Sequence, residues 1–279
     1  MGPFIPLNTD DIRSGLTTKS LGHSLYLHQE ITSTNKKACA LAQQGAAHGT
    51  VVLAECQSGG HGRHGRHWFS PPGCNIYCST IVRAEAQKLP LTQRLPWTPL
   101  LSALAVAEAV RQMTTISLTL KWPNDLLLDE RKVGGILCES VFQTSGDPTI
   151  IIGIGLNVNL AREDFPDELR PIAASLAEIS VQPIDRNRLV AQVLLELEQC
   201  LDEFLSNGSS RLRQAYLTRC ATLGRQVLIR FTSQEQILGI AEGIAADGAL
   251  QVRPLSSPSR SQPMALLDVR AADVIHLRE

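Results

Sequence analysis

The chain has 279 residues, of which 43% are hydrophobic and 19% charged, a composition for a globular protein with one large domain, or a large one with a small companion. Its net charge of −1 argues against a dedicated nucleic-acid binder, which would carry a strongly basic face. No apolar run approaches the ~18–20 residues of a membrane span, and the start Met-Gly-Pro-Phe-Ile-Pro lacks the charged and apolar regions of a signal peptide. Gly2 is followed by Pro3 and Pro6, with no Ser or Thr at position six, so lipidation of the N-terminus is not expected. The seven cysteines are odd in number, irregularly spaced and without a Cys-x-x-Cys pair, which fits reduced thiols and a cytoplasmic location. Cys39, Cys200 and Cys220 read as plain helix-face residues.

Taken in order, the chain opens with a weak helical pattern near Asp10–Leu16 and an alternating strand over Ser24–Ile31. Thr32-Ser33-Thr34-Asn35 is a cluster of N-cap residues that opens an amphipathic helix ending near Gly45. Ser33 and Thr34 there suit either capping alone or recognition of a ligand's polar atoms by exposed hydroxyl and N–H groups. Val51–Cys56 is a buried strand, and it runs into the most informative stretch of the chain. Gly59 to His67 packs four glycines, three histidines and two arginines into nine residues. No ordinary helix or strand tolerates that glycine content. A strand leading into a basic glycine loop is a design for an anion site, because N–H groups approach oxygens closely and guanidinium groups supply charge. Gly60 to Gly65 formally matches G-x-G-x-x-G, but a dinucleotide fingerprint must open a helix, and Pro71-Pro72 follow instead. The three-residue spacing of His61, His64 and His67 would suit metal ligands on a helix. With glycines between them they read as solvated loop residues or anion contacts.

Further strands are expected over Asn75–Val82, Ser117–Trp122, Leu126–Leu128 and Lys132–Glu139, the last two joined by a turn at Asp129-Glu130. A helix starting at Pro96 and running to about Met113 falls between the first two. Thr149–Ile154 and Leu156–Leu160 extend the sheet, and Gly153 and Gly155 allow close backbone approach. Helices are expected at Pro171–Ile179, Asp185–Leu205 and Ser209–Thr218. After Thr222 the pattern changes to five short strands, Arg225–Phe231, Ile237–Ala245, Ala249–Arg253, Met264–Val269 and Val274–Leu277, spaced as in a small β-barrel. The domain boundary is therefore placed at residue 222, giving 1–222 and 223–279.

Five segments together carry a resemblance. They are Thr32-Ser33-Thr34-Asn35, the Gly59–Trp68 loop, Lys121-Trp122-Pro123-Asn124-Asp125, Gly134-Gly135-Ile136-Leu137 with Lys132 ahead of it, and Gly153-Ile154-Gly155-Leu156-Asn157-Val158-Asn159. In order and spacing they resemble the motif set of biotin protein ligases, and Ile240–Ile244 resembles part of that family's C-terminal domain. The resemblance implies an α+β fold, with a central mixed or antiparallel β-sheet flanked by helices in a class II synthetase-like catalytic domain, plus a small C-terminal SH3-like β-barrel. It implies an ATP-dependent ligase of two steps. Biotin's carboxylate attacks the α-phosphate of ATP to give biotinyl-5′-AMP and pyrophosphate, and a lysine of a biotin carboxyl carrier domain then displaces AMP. Magnesium would accompany the ATP phosphates near Asn157.

Carried over by residue, Lys121 and Arg63 are the catalytic cations. Ser33, Thr34, Asn35 and Gln57 serve the ureido ring and its surroundings. Gly60, His61, Gly62 and Arg63 of the loop, with Lys132, Gly134 and Gly135, hold the rest of biotin and the intermediate. Arg66, Trp68, Asn124 and Asn157 fall on the nucleotide side. Simpler roles stand beside these: Trp68 and Trp122 as core aromatics, Gln57 as a strand-end cap, Asp125 as a turn residue. Lys121 resists a simpler role, since a lysine between apolar residues at a strand end needs a reason. A lipoate ligase or octanoyl transferase of the same fold is the alternative, and the loop and terminal barrel favour biotin. A binding or corepressor module is a third reading. Only some thirty residues precede Thr32, too few for the winged-helix domain of the repressor-type members, so no repressor role or nucleic-acid partner is expected. Monomers and homodimers both occur in the resembled family. His61 stands where that family usually has arginine, which removes a fixed charge and a bidentate fork. Replacing His61 by Arg is expected to slow release of biotinyl-5′-AMP from the protein; a release rate that is unchanged or faster would contradict this.

Overall fold

The structure, a computed structural model, describes residues 5–83, 91–142, 149–231, 235–255, 265–270 and 272–277, with only the backbone of 91–94. Helix α1 (Thr9–Gly15), strand β1 (Leu25–Ile31), helix α2 (Thr34–Gln43) and strands β2 (Val51–Gln57) and β3 (Ile76–Val82) come first. They are followed by α3 (Leu91–Thr114), β4 (Thr119–Lys121), β5 (Asp125–Leu128), β6 (Arg131–Val141) and β7 (Thr149–Leu156). Helices α4 (Arg186–Asn207) and α5 (Ser210–Leu217) lead to β8 (Gln226–Arg230), β9 (Gln236–Ile244), β10 (Leu250–Pro254), β11 (Leu267–Val269) and β12 (Asp273–His276).

The first seven strands form one sheet in the order β1-β2-β3-β7-β6-β5-β4. Only β1 and β2 run parallel, because α2 provides the crossover that a parallel pair requires; the other pairs are antiparallel. β3 is buried at every position and β7 at all but Gly155, as central strands covered on both faces should be. Residues paired across antiparallel strands share a face, so the register sorts the side chains. Ile81, Ile151 and Val52 pack under Ala38, Leu41 and Ala42 of α2. Val51, Leu53, Cys78, Ile150 and Ile152 join α3 and α4 on the other face. The last five strands form a second, antiparallel sheet, ordered β11-β10-β9-β8-β12, as in a small SH3-like unit. Its core side chains Val227, Ile229, Ile244 and Leu250 continue the cluster of α3 and α4.

The α+β architecture and most elements match the sequence expectation, and the differences have physical causes. Helix α3 begins at Leu91, so Pro96 and Pro99 lie inside it. Proline keeps a helical φ while losing its donor, so it marks a helix without marking its first turn. Pro171–Ile179 is not a helix but a single 3₁₀ turn at Leu176–Glu178, closed by a Ser175/Glu178 capping box. Its backbone is drawn away by the sheet edge: Lys132 N–H donates to Ile172, Ala174 N–H to Lys132, and Leu176 N–H to Asn157. β7 ends at Leu156, and 157–160 leave the sheet, with Asn159 N–H donating to the Cys74 carbonyl. Cys220 lies beyond α5, bridged to Leu120, and is not a helix-face residue. Met264, placed in a strand from sequence, lies outside the described residues. The Asp129-Glu130 turn is as expected, both residues having positive φ (47° and 65°), the combination of a type I′ hairpin.

Two polar contacts tie distant segments. Arg186, fully buried at the start of α4, donates to both carboxylate oxygens of Glu55 on β2 (2.8 and 3.2 Å) and to the Ile5 carbonyl, while Leu7 N–H donates to Glu55. On the second sheet, His276 Nε2 lies 3.1 Å from Thr222 Oγ1, which also accepts from Trp122 N–H. Burial, with Lys121 and Arg225 nearby, pulls His276 down to about 4. Arg186→Met should destabilise the fold by about 3–5 kcal/mol in urea unfolding, since it leaves a carboxylate buried and uncompensated, and adding Glu55→Leu should recover much of the loss. For His276, the unfolded chain takes up its proton near pH 6.5 while the folded chain resists until about 4, so folded stability falls as pH drops through that window. In His276→Gln this part of the pH slope should vanish, read as urea midpoints at pH 5 and 7.5.

Candidate active site

A cavity of about 420 Å³ opens on the α2 face of the large sheet. Its position follows from the strand register. Beyond the Ile81–Ile151 row the paired positions become Ser79–Gly153–Leu137 and then Tyr77–Gly155–Gly135. Ser79 and the glycines at 135, 153 and 155 leave the middle of the sheet uncovered where α2 begins. A Cβ on Gly153 would sit 2.1 Å from Asn35 Oδ1, and one on Gly155 would sit 2.7 Å from the Trp68 indole. The two glycines admit an amide and an aromatic ring onto the sheet surface.

One end of the cavity is neutral and rich in hydrogen bonds. Ser33 caps α2 by accepting from Lys36 N–H, and Gln57 Oε1 accepts from the backbone N–H (2.8 Å) and hydroxyl (3.1 Å) of Thr34. Gln57 Nε2 donates to Ser70 Oγ, which donates to the Trp68 carbonyl. Capping and strand-end roles are thus real for Ser33 and Gln57, and both residues also line the cavity.

The other end is cationic. The glycine loop is a tight hairpin in which His61 and His67 bridge, Gly62 N–H donates to Arg66 and Trp68 N–H to Gly60. No helix follows it, as expected from the prolines; its tip is a 3₁₀ turn, Arg63–Gly65. Arg63 donates to Asn124 Oδ1 (3.3 Å) and to the Ala272 carbonyl (3.0 Å), and burial pulls its guanidinium below the ordinary range. Arg66 pairs with Asp273 of β12, whose second oxygen lies 3.5 Å from His64 Nε2. Asn124 Nδ2 donates to Ile136 O. Lys132 pairs with Asp125 (2.5 Å) and lies 5.5 Å from the Trp68 ring centre. The Lys121 side chain, mostly buried, makes no hydrogen bond or ion pair among the described residues. Burial lowers its pKa first, and Lys132 and Arg66 add to this against Asp125 and Asp273. Buried cations need anions. This cavity holds more cations than carboxylates, and the difference suits a ligand with negative charge.

All but two of the site residues expected from sequence line this one cavity. Gly60 and Gly134 do not. They are packed positions, where a Cβ would meet Ser70 Oγ at 2.6 Å and the Gly155 carbonyl at 3.1 Å respectively. Asn157 lines the cavity floor, but its amide donates to the Ala174 carbonyl and accepts from Asn75. Trp122 also reaches the lining while serving as a core aromatic, its indole donating to the Gly248 carbonyl. Trp68 is half-buried, and its indole N–H is buried without a partner among the described residues. Sequence reasoning missed Asp273, whose single carboxylate in a short terminal strand carries no local signal. It missed the apolar wall of Phe165, Leu169 and Ile172 for the same reason. Asp125, read as a turn residue, is the counter-ion of Lys132.

Residues 27–158 match the Biotin/lipoate A/B protein ligase family, and residues 222–277 match the Biotin protein ligase C terminal domain. The chain is 34% identical over 278 residues to a Mycobacterium tuberculosis protein named biotin--[acetyl-CoA-carboxylase] ligase, covering 98% of this chain and 97% of that one. It is 35% identical over 244 residues to the bifunctional ligase/repressor BirA of Bacillus subtilis, covering 88% of this chain and 74% of the other. Among solved structures, the biotin protein ligase of Aquifex aeolicus in complex with biotin and ATP superposes with a TM-score of 0.75 at 27% identity, covering 91% of this chain and 100% of that one. The likeness spans nearly the whole chain, and the chain belongs to the biotin protein ligase family.

Proposed function

We propose that this protein activates biotin with ATP and transfers it to a lysine of a carboxylase's biotin carboxyl carrier domain. The observation that carries this reading is one cavity with a neutral, hydrogen-bonding end at Thr34 and Gln57 and a cationic end at Arg63, Lys121 and Lys132. A molecule with a polar uncharged head and a carboxylate tail fits that order, with the tail meeting an α-phosphate among the cations. The biotin carboxylate oxygen forms a bond to the α-phosphorus, and the bond to pyrophosphate breaks. Lys121 and Arg63 offset the charge that gathers there; Lys121 suits this because the nearby carboxylates, Asp125 and Asp273, are paired with Lys132 and Arg66. In the second step the acceptor amine attacks the anhydride carbonyl and AMP leaves with the electron pair.

In this reading Ser33, Thr34, Asn35 and Gln57 hold the ureido end. His61, Gly62, Lys132 and Gly135 flank the tail, with Gly60 and Gly134 shaping the walls from behind. Arg66, Trp68, Asn124 and Asn157 lie toward the nucleotide. The loop covers the anhydride against water. Magnesium enters as the counter-ion of ATP. Among the described residues no three His, Cys, Asp or Glu side chains converge, and the Asn157 amide is committed to Asn75 and Ala174. A magnesium ion here would be held mainly by phosphate oxygens and water, which Mg²⁺ prefers. We place the boundary between catalytic and C-terminal domains at residue 222 and the protein in the cytoplasm; no helix of the described residues is long and apolar enough to cross a membrane, and all seven cysteines are free thiols.

Biotin-dependent exchange of pyrophosphate into ATP tests the reading. Wild-type protein should exchange with biotin and not with lipoate or octanoate, and Lys121→Ala should lower the rate by roughly 10²–10³. Exchange driven by lipoate or octanoate instead would overturn the substrate, and an unaffected Lys121→Ala would overturn its role.

A further inference from the structure

The neutral end of the cavity is part of a longer polar chain whose anchor lies outside the cavity. Asn35, buried at the start of α2, donates through Nδ2 to Glu139 Oε2 at 2.6 Å and to the Leu137 carbonyl at 3.3 Å. Its Oδ1 accepts from Ser79 Oγ at 2.6 Å. Ser79 Oγ also lies 2.8 Å from Thr34 Oγ1, and Thr34 in turn donates to Gln57. Glu139 and Ser79 sit in neighbouring rows of the α2 face, where Glu139 pairs with Ile151 and Ser79 with Gly153. Neither lines the cavity.

Every other side chain in this run works both ways. Hydroxyls donate and accept, and an amide turned by 180° exchanges donor for acceptor in nearly the same space. An ionised carboxylate only accepts. We propose that Glu139 is the positioning residue that sets the direction of this chain: by accepting from Nδ2 it holds the Asn35 amide with Oδ1 toward Ser79. Oδ1 then draws the single Ser79 proton, and Thr34 Oγ1 is not obliged to accept from Ser79. Without Glu139 only the longer bond to the Leu137 carbonyl holds the amide, and the amide can turn. Nδ2 then faces Ser79, Ser79 must donate to Thr34, and the pattern of donors and acceptors presented to a bound polar head changes. Gly153 belongs to the same device, because a Cβ there would displace the Asn35 amide.

This inference rests on the biotin reading, since it concerns how the neutral end recognises a cyclic urea with two donors and one acceptor. The test compares Glu139→Leu and Glu139→Gln with wild type in biotin-dependent pyrophosphate exchange, together with calorimetric titration of biotin alone. Glu139→Leu should raise the KM for biotin and weaken biotin binding by roughly ten- to hundredfold, the range for a buried polar group left mispaired, with kcat and the KM for ATP within about threefold. Glu139→Gln keeps an acceptor oxygen of the same reach but can also donate, so it should recover the biotin affinity only in part. A Glu139→Leu protein in which kcat and both KM values fall or rise together would assign Glu139 a general structural role and overturn the proposal. So would a Glu139→Leu protein whose biotin affinity is unchanged, or a Glu139→Gln protein that binds biotin as tightly as wild type. If the wild type shows no exchange with biotin, the biotin reading itself falls, and the proposal falls with it.

Discussion

The site depends on the step at which β7 changes from isoleucine to glycine along the face covered by α2. At Ile151 the sheet surface is apolar and α2 packs on it; at Gly153 the Asn35 amide takes the place a side chain would fill; at Gly155 the Trp68 ring does. The change occurs over four residues on one face of one strand. A helix cannot bend away from a sheet so abruptly, so its cover ends in a cavity rather than in a closer packing of side chains. On the neighbouring strands Ser79 and Gly135 continue the step, while Leu137 and Tyr77 stand opposite the two glycines. The helix start at Ser33 and Thr34 then falls where backbone N–H groups and hydroxyls meet the opening.

The second constraint is charge. Arg63, Lys121 and Lys132 converge in a partly desolvated space, and the protein meets them with few carboxylates, Asp125 and Asp273 among them. Asp125 comes from the strand next to Lys132, and Asp273 comes from the far end of the chain. The C-terminal sheet is therefore part of the electrostatics of the cavity. Through Arg63 with Ala272, and Arg66 and His64 with Asp273, it holds the glycine loop in a defined hairpin. His276 and Thr222 tie that same strand to Trp122, next to Lys121. Loop, strand end and terminal sheet form one polar seam.

Much of this was legible in the sequence because the signals are local. Alternation and apolar runs marked the strands, Ser33 marked a helix start, and Asp129-Glu130 marked a hairpin. The dense glycine and arginine content of 59–67 marked a basic loop outside helix and strand, and the two prolines after it excluded a Rossmann turn. Failures came where long-range hydrogen bonds overrode local preference. Residues 171–179 have a helical pattern, yet their backbone groups are taken up by Lys132 and Asn157. Residues 157–160 have a strand pattern, yet they are drawn off toward Cys74.

The sequence by itself determined the two-sheet α+β organisation, the family and the residue types that meet at the site, since motif spacing and side-chain period act along the chain. Only the tertiary structure decided which of those residues face one cavity, that Gly60 and Gly134 serve packing, and that the Asn157 amide is spent on Asn75 and Ala174. It alone joined Asp273 to the loop and Glu139 to Asn35, across 207 and 104 residues of chain. The physical reason is that pairing of charges and the direction of hydrogen bonds are set by distance in space. Strand register and helix placement fix those distances, and neither leaves a mark near the residues concerned.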